Sequence, residues 1–217
     1  MITLAIDAST YSGSVAVIRD AEILSEQTTA MKGADEERLM PAVADALSSA
    51  GIARGEIDRV VCGEGPGSFT SLRIAGAIAK GMAEGLGCPL YAAPSLGLIV
   101  AGADLRPGLY LAALDALRGQ YYVGRYERTV DGEVEEIDEA RLVAADNLDS
   151  AALETQSKLL GPDHGRAPPR ARGVIRFERL LEARGPVNVA SWEPAYGRLA
   201  EAQVRWESAH GRPLPSG

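Results

Sequence analysis

Cysteine and histidine are nearly missing from this chain of 217 residues, which has two of each. Cys62 and Cys88 both sit inside apolar segments. Two such residues cannot build a disulfide scaffold, so both are expected to be reduced packing residues. His164 and His210 lie late, in polar sequence, and no H-x-x-x-H pair occurs. A helix-borne metal site and a Ser or Cys triad are therefore not expected, and the predicted metal ligands are none. Long apolar runs are absent too: none approaches the ~20 residues of a membrane-spanning helix. The N-terminus enters strand-like sequence without a basic leader, so a cytoplasmic location is the expectation. Positive charge is in deficit, with 22 Lys and Arg against 30 Asp and Glu, a net −8. That argues against an extensive nucleic-acid surface, because phosphate neutralisation supplies most of such affinity.

What the chain has is apolar content, 46%, enough to bury one core or two small lobes. It also has the stretch Gly63-Glu64-Gly65-Pro66-Gly67-Ser68-Phe69-Thr70, between an apolar run at 57–62 and a helical pattern at 70–86. Strand, glycine-rich turn and helix N-terminus together leave N–H groups that suit an anion, with Ser68 and Thr70 as caps. The same residues equally make a tight turn before a capped helix. The Lys of a phosphate-binding loop is missing, and the dinucleotide fingerprint meets Ser68 where it needs a glycine.

Alternation predicts strands at 2–7, 14–19 and 22–29, with Asp20-Ala21 as a hairpin turn. A helix is expected over 37–50, stopped by Gly51. The 70–86 helix carries Gly76, Gly81 and Gly85 in its body, at about 1 kcal/mol each against Ala. Close packing of another helix is the expected compensation. Its apolar residues run round most of the circumference, so it is either sunk in the core or shared with a second molecule. A short strand at 90–92 and a helix at 95–103 lead to the Pro- and Gly-bearing segment 104–108, the expected lobe boundary. The predicted division is 1–105 as the first lobe and 106–217 as a smaller second lobe with a terminal tail. Strands at 109–114 and 120–126 flank Asp115, repeating the strand–Asp–turn–strand layout around Asp7. Further expectations are a strand at 130–137, a helix at 147–153, a strand at 157–160 and a helix at 174–183. Arg166, Arg170, Arg172 and Arg176 cluster without an intervening acid, either as a solvated loop or as a patch for phosphates.

Several stretches resemble the TsaB (YeaZ-like) family. GEGPGSFTSLRIAGAIAKG is similar to its GxGPGSFTGLRIG signature, with Ser71 and Ala75 replacing the usual glycines. IDASTYSGSVAVI resembles the family's opening, EERLMPAVADAL its first helix, CPLYAAPSLGLIVAG and ALDALRGQYYVGRY its later segments, and the stretch from Trp192 to Arg198 its EPxYxR close. The first helix of the family often carries His or Ser where this chain has Glu36 or Glu37. Residues 130–190 find no match.

The resemblance implies an α/β fold of two actin-like, ribonuclease H-type lobes, the second reduced. It implies a non-catalytic subunit in threonylcarbamoylation of the adenosine beside the anticodon of tRNAs reading A-starting codons. The chain would bind and activate a TsaD-like subunit, with a TsaE-like ATPase in the same complex and tRNA contacted mainly through it. A homodimer is the alternative assembly of the free chain. Leu39, Val43, Leu47, Leu72, Ala75, Ile78, Ala79, Gly81 and Met82 would form the partner interface. Asp7, Ser9, Thr10, Gly65, Gly67, Ser68 and Asp115 would mark a vestigial nucleotide site. The chain would have no cofactor of its own, with ATP or ADP as a candidate at the partner interface. The competing expectation is a small ATPase or phosphotransferase of the same superfamily, acting alone.

Overall fold

The computed structural model describes residues 1–31 and 37–197. Asp35, Glu36, Arg198 and His210 lie outside the described residues. The elements run β1 (Ile2–Asp7), β2 (Ser12–Arg19), β3 (Glu22–Ala30), α1 (Leu39–Ala50), β4 (Arg59–Gly63), α2 (Phe69–Leu86), β5 (Leu90–Ala93) and α3 (Ser95–Gly102). They continue as β6 (Gly108–Asp115), β7 (Gln120–Arg128), β8 (Val134–Ala144), α4 (Leu148–Glu154), β9 (Lys158–Leu160) and α5 (Glu178–Arg184).

Two sheets organise the chain, in the orders β3-β2-β1-β4-β5 and β8-β7-β6-β9. In the first, β1 is antiparallel to β2 and parallel to β4. In the second, β6 is antiparallel to β7 and parallel to β9. The second sheet thus repeats the connectivity of the first four strands, with β9 cut to a stub. This is the duplicated, two-lobed α/β architecture of actin-like, ribonuclease H-type proteins, with a reduced second lobe.

Burial reflects that order. β1 is central and buried along its whole length, which suits its nearly unbroken apolar sequence. β3 is an edge and is exposed at several positions. One face of the first sheet, with Leu4, Ile6, Val15, Val17, Val60 and Cys62, packs against α1 and α2. The other face, with Ala5, Ala16, Ile18 and Val61, joins α3, Leu114, Tyr122, Tyr126 and Phe177 in a core shared by the two sheets. α4 covers the outer face of the second sheet through Leu148, Ala151 and Ala152.

Two elements depart from the sequence pattern. The helix expected at 174–183 is a 3-10 helix at Ala171–Arg176 followed by α5. Phe177 breaks it, because its fully buried ring enters the shared core with φ −118° and ψ 15°. The strand expected at 130–137 begins at Val134, since Val130 lies at a turn closed by Thr129 N–H on the Glu133 carbonyl at 3.0 Å. The expected lobe boundary falls in the link between α3 and β6. The chain nevertheless returns to the first sheet: Arg59, on β4, holds Glu178 of α5 in a two-pronged ion pair at 2.8 and 2.6 Å. Val187 then pairs with Leu90. Among the described residues, no helix is long and apolar enough to cross a membrane.

Candidate functional site

Asp7 ends β1 wholly buried. Its Oδ1 accepts from the Ser9 amide at 3.1 Å and the Ser9 hydroxyl at 2.9 Å. Its Oδ2 accepts from the Ser95 hydroxyl at 2.6 Å, and Ser95 Oγ in turn accepts from the Gly65 N–H at 2.9 Å. Burial raises the Asp7 pKa above the ordinary 3.8, opposed by the bonds from Ser95 and Ser9. Burial also pushes up the neighbouring Cys62 thiol, with the charges of Asp7 and Glu64 adding to it.

The glycine turn closes this chamber. A Cβ at Gly63 would overlap Asp7 Oδ2, and one at Gly67 would overlap the Ser9 carbonyl. These two glycines therefore let the turn lie directly on the β1–β2 turn. Its donors are spent inside the protein: Glu64 N–H on the Ala93 carbonyl at 2.8 Å and Ser68 N–H on the Ser9 carbonyl at 2.7 Å. With Gly65 N–H on Ser95, three of the turn's donors are bonded within the protein.

The expected caps are corrected. Thr70 lies within α2, and Ser68 stands at the N-cap without a side-chain cap bond. Its Oγ is 3.0 Å from Ser71 Oγ instead. Thr10 is occupied locally, exchanging bonds with the Ser12 backbone at 3.1 Å.

Asp115, at the matching place in the second sheet, is exposed. It accepts one backbone N–H, from Leu117 at 2.7 Å. Leu117 and Arg118 both adopt positive φ, 61° and 57°, in the turn into β7, and Gly119 comes directly after them. Asp115 is a turn residue here, and nothing in the described structure brings it to Asp7's partners.

Of the residues expected at a partner interface, Leu39, Val43, Leu47, Leu72, Ala75 and Ala79 face inward and are buried in the lobe's own core. This is a correction: they hold the helices on the sheet. Ile78 and Met82 are half-buried and Gly81 is exposed, and these three remain on the outer side of α2. Gly76 is approached by Pro194 and Trp192 of the same chain, not by a helix, whereas among the described residues nothing comes within 4 Å of a Cβ built on Gly81 or Gly85. Ile74 is half-buried and Ala77 exposed, so α2 presents a shallow strip of small and apolar residues.

The arginine cluster is mostly committed within the protein. Arg170 and Arg172 approach Glu26 at 3.5 and 3.4 Å. Arg172 and Arg176 donate to the carbonyls of Gly102 and Ala101, at 2.9 and 2.5 Å. They thereby satisfy the C-terminal carbonyls of α3, where positive charge is favoured. The phosphate-patch reading of this loop is corrected accordingly, leaving Arg166 exposed.

What sequence reasoning missed is the placement of the segment 186–197, whose end carries the EPxYxR-like close and which crosses α2 and the glycine turn. Lys80 Nζ donates to the Trp192 carbonyl at 2.9 Å, and the Ala195 N–H to the Glu64 carbonyl at 2.6 Å. The Tyr196 ring lies 4.6 Å from that of Phe69. Gly76, buried in the body of α2, was the sequence signal that something packs close there. Among the described residues, no three His, Cys, Asp or Glu side chains are grouped so as to hold a metal ion.

Known proteins are similar to this chain in sequence and in fold. Residues 22–160 match the family model described as TsaD, tRNA N6-adenosine threonylcarbamoyltransferase. The chain is 30% identical to the tRNA threonylcarbamoyladenosine biosynthesis protein TsaB of Bacillus subtilis (strain 168), over 95% of this chain and 98% of that one. It is 34% identical to the TsaB of Escherichia coli (strain K12), over 61% of this chain and 58% of that one. Among solved structures it is similar to YeaZ from Pseudomonas aeruginosa, with TM-score 0.75 and 25% identity over 90% of this chain and 99% of that one.

Proposed function

The chain belongs to the TsaB (YeaZ-like) family, and from that premise we propose that it is a non-catalytic subunit in the biosynthesis of threonylcarbamoyladenosine in tRNA. It acts by binding a TsaD-like subunit and holding it in its active arrangement. The TsaD-like subunit carries the transfer chemistry, a TsaE-like ATPase joins the complex, and tRNA is reached mainly through the assembly. Nucleotide, on this reading, belongs to the partner interface and not to the Asp7 turn.

The observation that carries the proposal is the outer face of α2. Gly81 sits in the interior of α2 at a cost of about 1 kcal/mol relative to Ala, Gly85 lies in its last turn, and no described residue outside the helix comes within 4 Å of where a Cβ on either would be. Flanked by Ile74, Ile78 and Met82, they allow the backbone of a second helix to come close. The enclosed Asp7 supports the non-catalytic part, since a carboxylate with both oxygens bonded inside a filled chamber has no approach for a substrate.

The test is tRNA threonylcarbamoylation in a mixture reconstituted from the other components, with no chain, wild type, Gly81→Arg or Asp7→Asn. Product is expected with wild type and Asp7→Asn, and is expected to be lost without the chain and with folded Gly81→Arg. Full activity with Gly81→Arg would remove α2 as the docking face. ATP turnover by the isolated chain, abolished by Asp7→Asn, would overturn the non-catalytic reading.

A further inference from the structure

Residues 184–197 touch both lobes and the turn between them. Arg184, ending α5, donates to Glu64 of the glycine turn at 2.7 Å and to Glu136 of β8 at 2.7 Å. One guanidinium thus ties the first lobe to the second. The chain then pairs through Val187 N–H with the Leu90 carbonyl at 2.8 Å and reaches Glu64 again through Ala195 N–H at 2.6 Å. The Ala195 carbonyl occupies the place a Cβ on Gly65 would take. Gly197, with φ +73°, lies against the Tyr122 ring of β7.

Between these polar attachments Val187, Val189 and Trp192 pack only half-buried against the first-lobe core, and the Tyr196 ring meets that of Phe69. Between residues 186 and 197 only Pro194 is buried, and the segment contributes a single isolated bridge to a sheet. A segment held by half-buried side chains and separate polar attachments opens at lower free energy than the fully buried core beneath it. What it covers is the turn that seals Asp7.

We propose that residues 184–197 form a latch, which opens locally and reversibly and by its closure holds the glycine turn down on Asp7 and fixes the second lobe against the first. Glu64 is the catch. Its side chain takes Arg184 and its carbonyl takes Ala195, so releasing either loosens the same turn. The latch is a property of the free chain and does not depend on what binds α2.

Hydrogen exchange of the full chain tests this, comparing wild type with Arg184→Ala and with Gly197→Val, which drives a side chain into Tyr122. Arg184 is partly exposed, so its removal leaves the core intact. The expected result is exchange at least ~10-fold faster over 62–69 and 186–197, with rates over α1 and β1–β2 unchanged. Two results would overturn the latch. In one, 186–197 exchanges faster while 62–69 keeps its wild-type rate, so the segment covers the turn without holding it. In the other, all segments accelerate together, so the segment is part of the global folding unit.

Discussion

Asp7 and Asp115 end the first strands of two sheets that share one connectivity, and each leads through a turn into an antiparallel neighbour. Asp7 is fully buried with three donors on its carboxylate, while Asp115 stands in solvent with one. The difference lies in the segment after the parallel neighbour. β4 runs into a glycine turn that folds down on Asp7, and α3 begins with Ser95 at its other oxygen. β9 is three residues long, and Gly161 after it packs on the Ala113 carbonyl instead. The same local motif thus yields a sealed carboxylate in one lobe and an ordinary turn residue in the other.

Four sets of substitutions would break or sharpen this contrast. The largest effect is expected for Gly63→Ala, whose Cβ would fall on Asp7 Oδ2. A loss of about 3 kcal/mol or more is expected, against about 1 kcal/mol for Gly119→Ala in the open turn of the second lobe, where only the positive φ of 70° is strained. Urea melts of both variants measure it, and equal losses would erase the distinction between the two turns.

Next is Asp7→Ala, which strands the buried donors of Ser9 and Ser95. It should cost about 2–3 kcal/mol. Asp115→Ala, losing one exposed turn bond, should cost about 0.5–1 kcal/mol by the same measure. Thermal melts of the pair suffice for the comparison.

A pH series separates charge from packing. Because burial raises the folded-state pKa of Asp7 above 3.8, folding favours the protonated acid. Its contribution is full below 3.8 and is lost as pH rises through the folded value. Asp7→Asn has no such proton. Wild type should therefore lose stability relative to Asp7→Asn as pH rises from 4 through the folded-state value, then run parallel to it. A stability difference that does not change with pH would mean that Asp7 titrates in the fold as it does in the unfolded chain.

The smallest effect is expected at the outer face of α2. Gly81→Ala should raise the stability of the free chain by up to about 1 kcal/mol, since among the described residues a Cβ there meets nothing within 4 Å. At Gly76, where Pro194 Cγ would stand 3.1 Å from a Cβ, the same change should bring no gain. Parallel melts of the two variants check whether the open and covered faces of one helix behave differently.

Much of this was legible in the sequence. The strands that became β1 to β3, the helix stop at Gly51, the helix after the glycine turn and the repeated Asp layout all come from alternation, helical spacing and turn residues. The signature around Ser68 carried the family. The side-chain roles were less legible. Helical spacing showed that Leu72, Ala75 and Ala79 share an apolar seam, but the seam meets the sheet of its own lobe, so they are core residues. Phe177 cut a helical pattern because its ring was needed in a core made with residues far back in the chain, such as Leu98 and Leu114.

The sequence by itself determined the local strands and helices and, through a specific motif, the family, because local propensity and that motif suffice for these; the duplicated α/β plan followed from the family resemblance. Only the tertiary structure decided that Asp7 is sealed, that the arginine cluster binds the end of α3, and that residues 184–197 close over the glycine turn. Each of those rests on partners far apart in the chain, such as Asp7 with Ser95 and Glu64 with Ala195. A residue's spacing along the chain reports that it has an apolar or polar face; only packing brings the distant group that meets it.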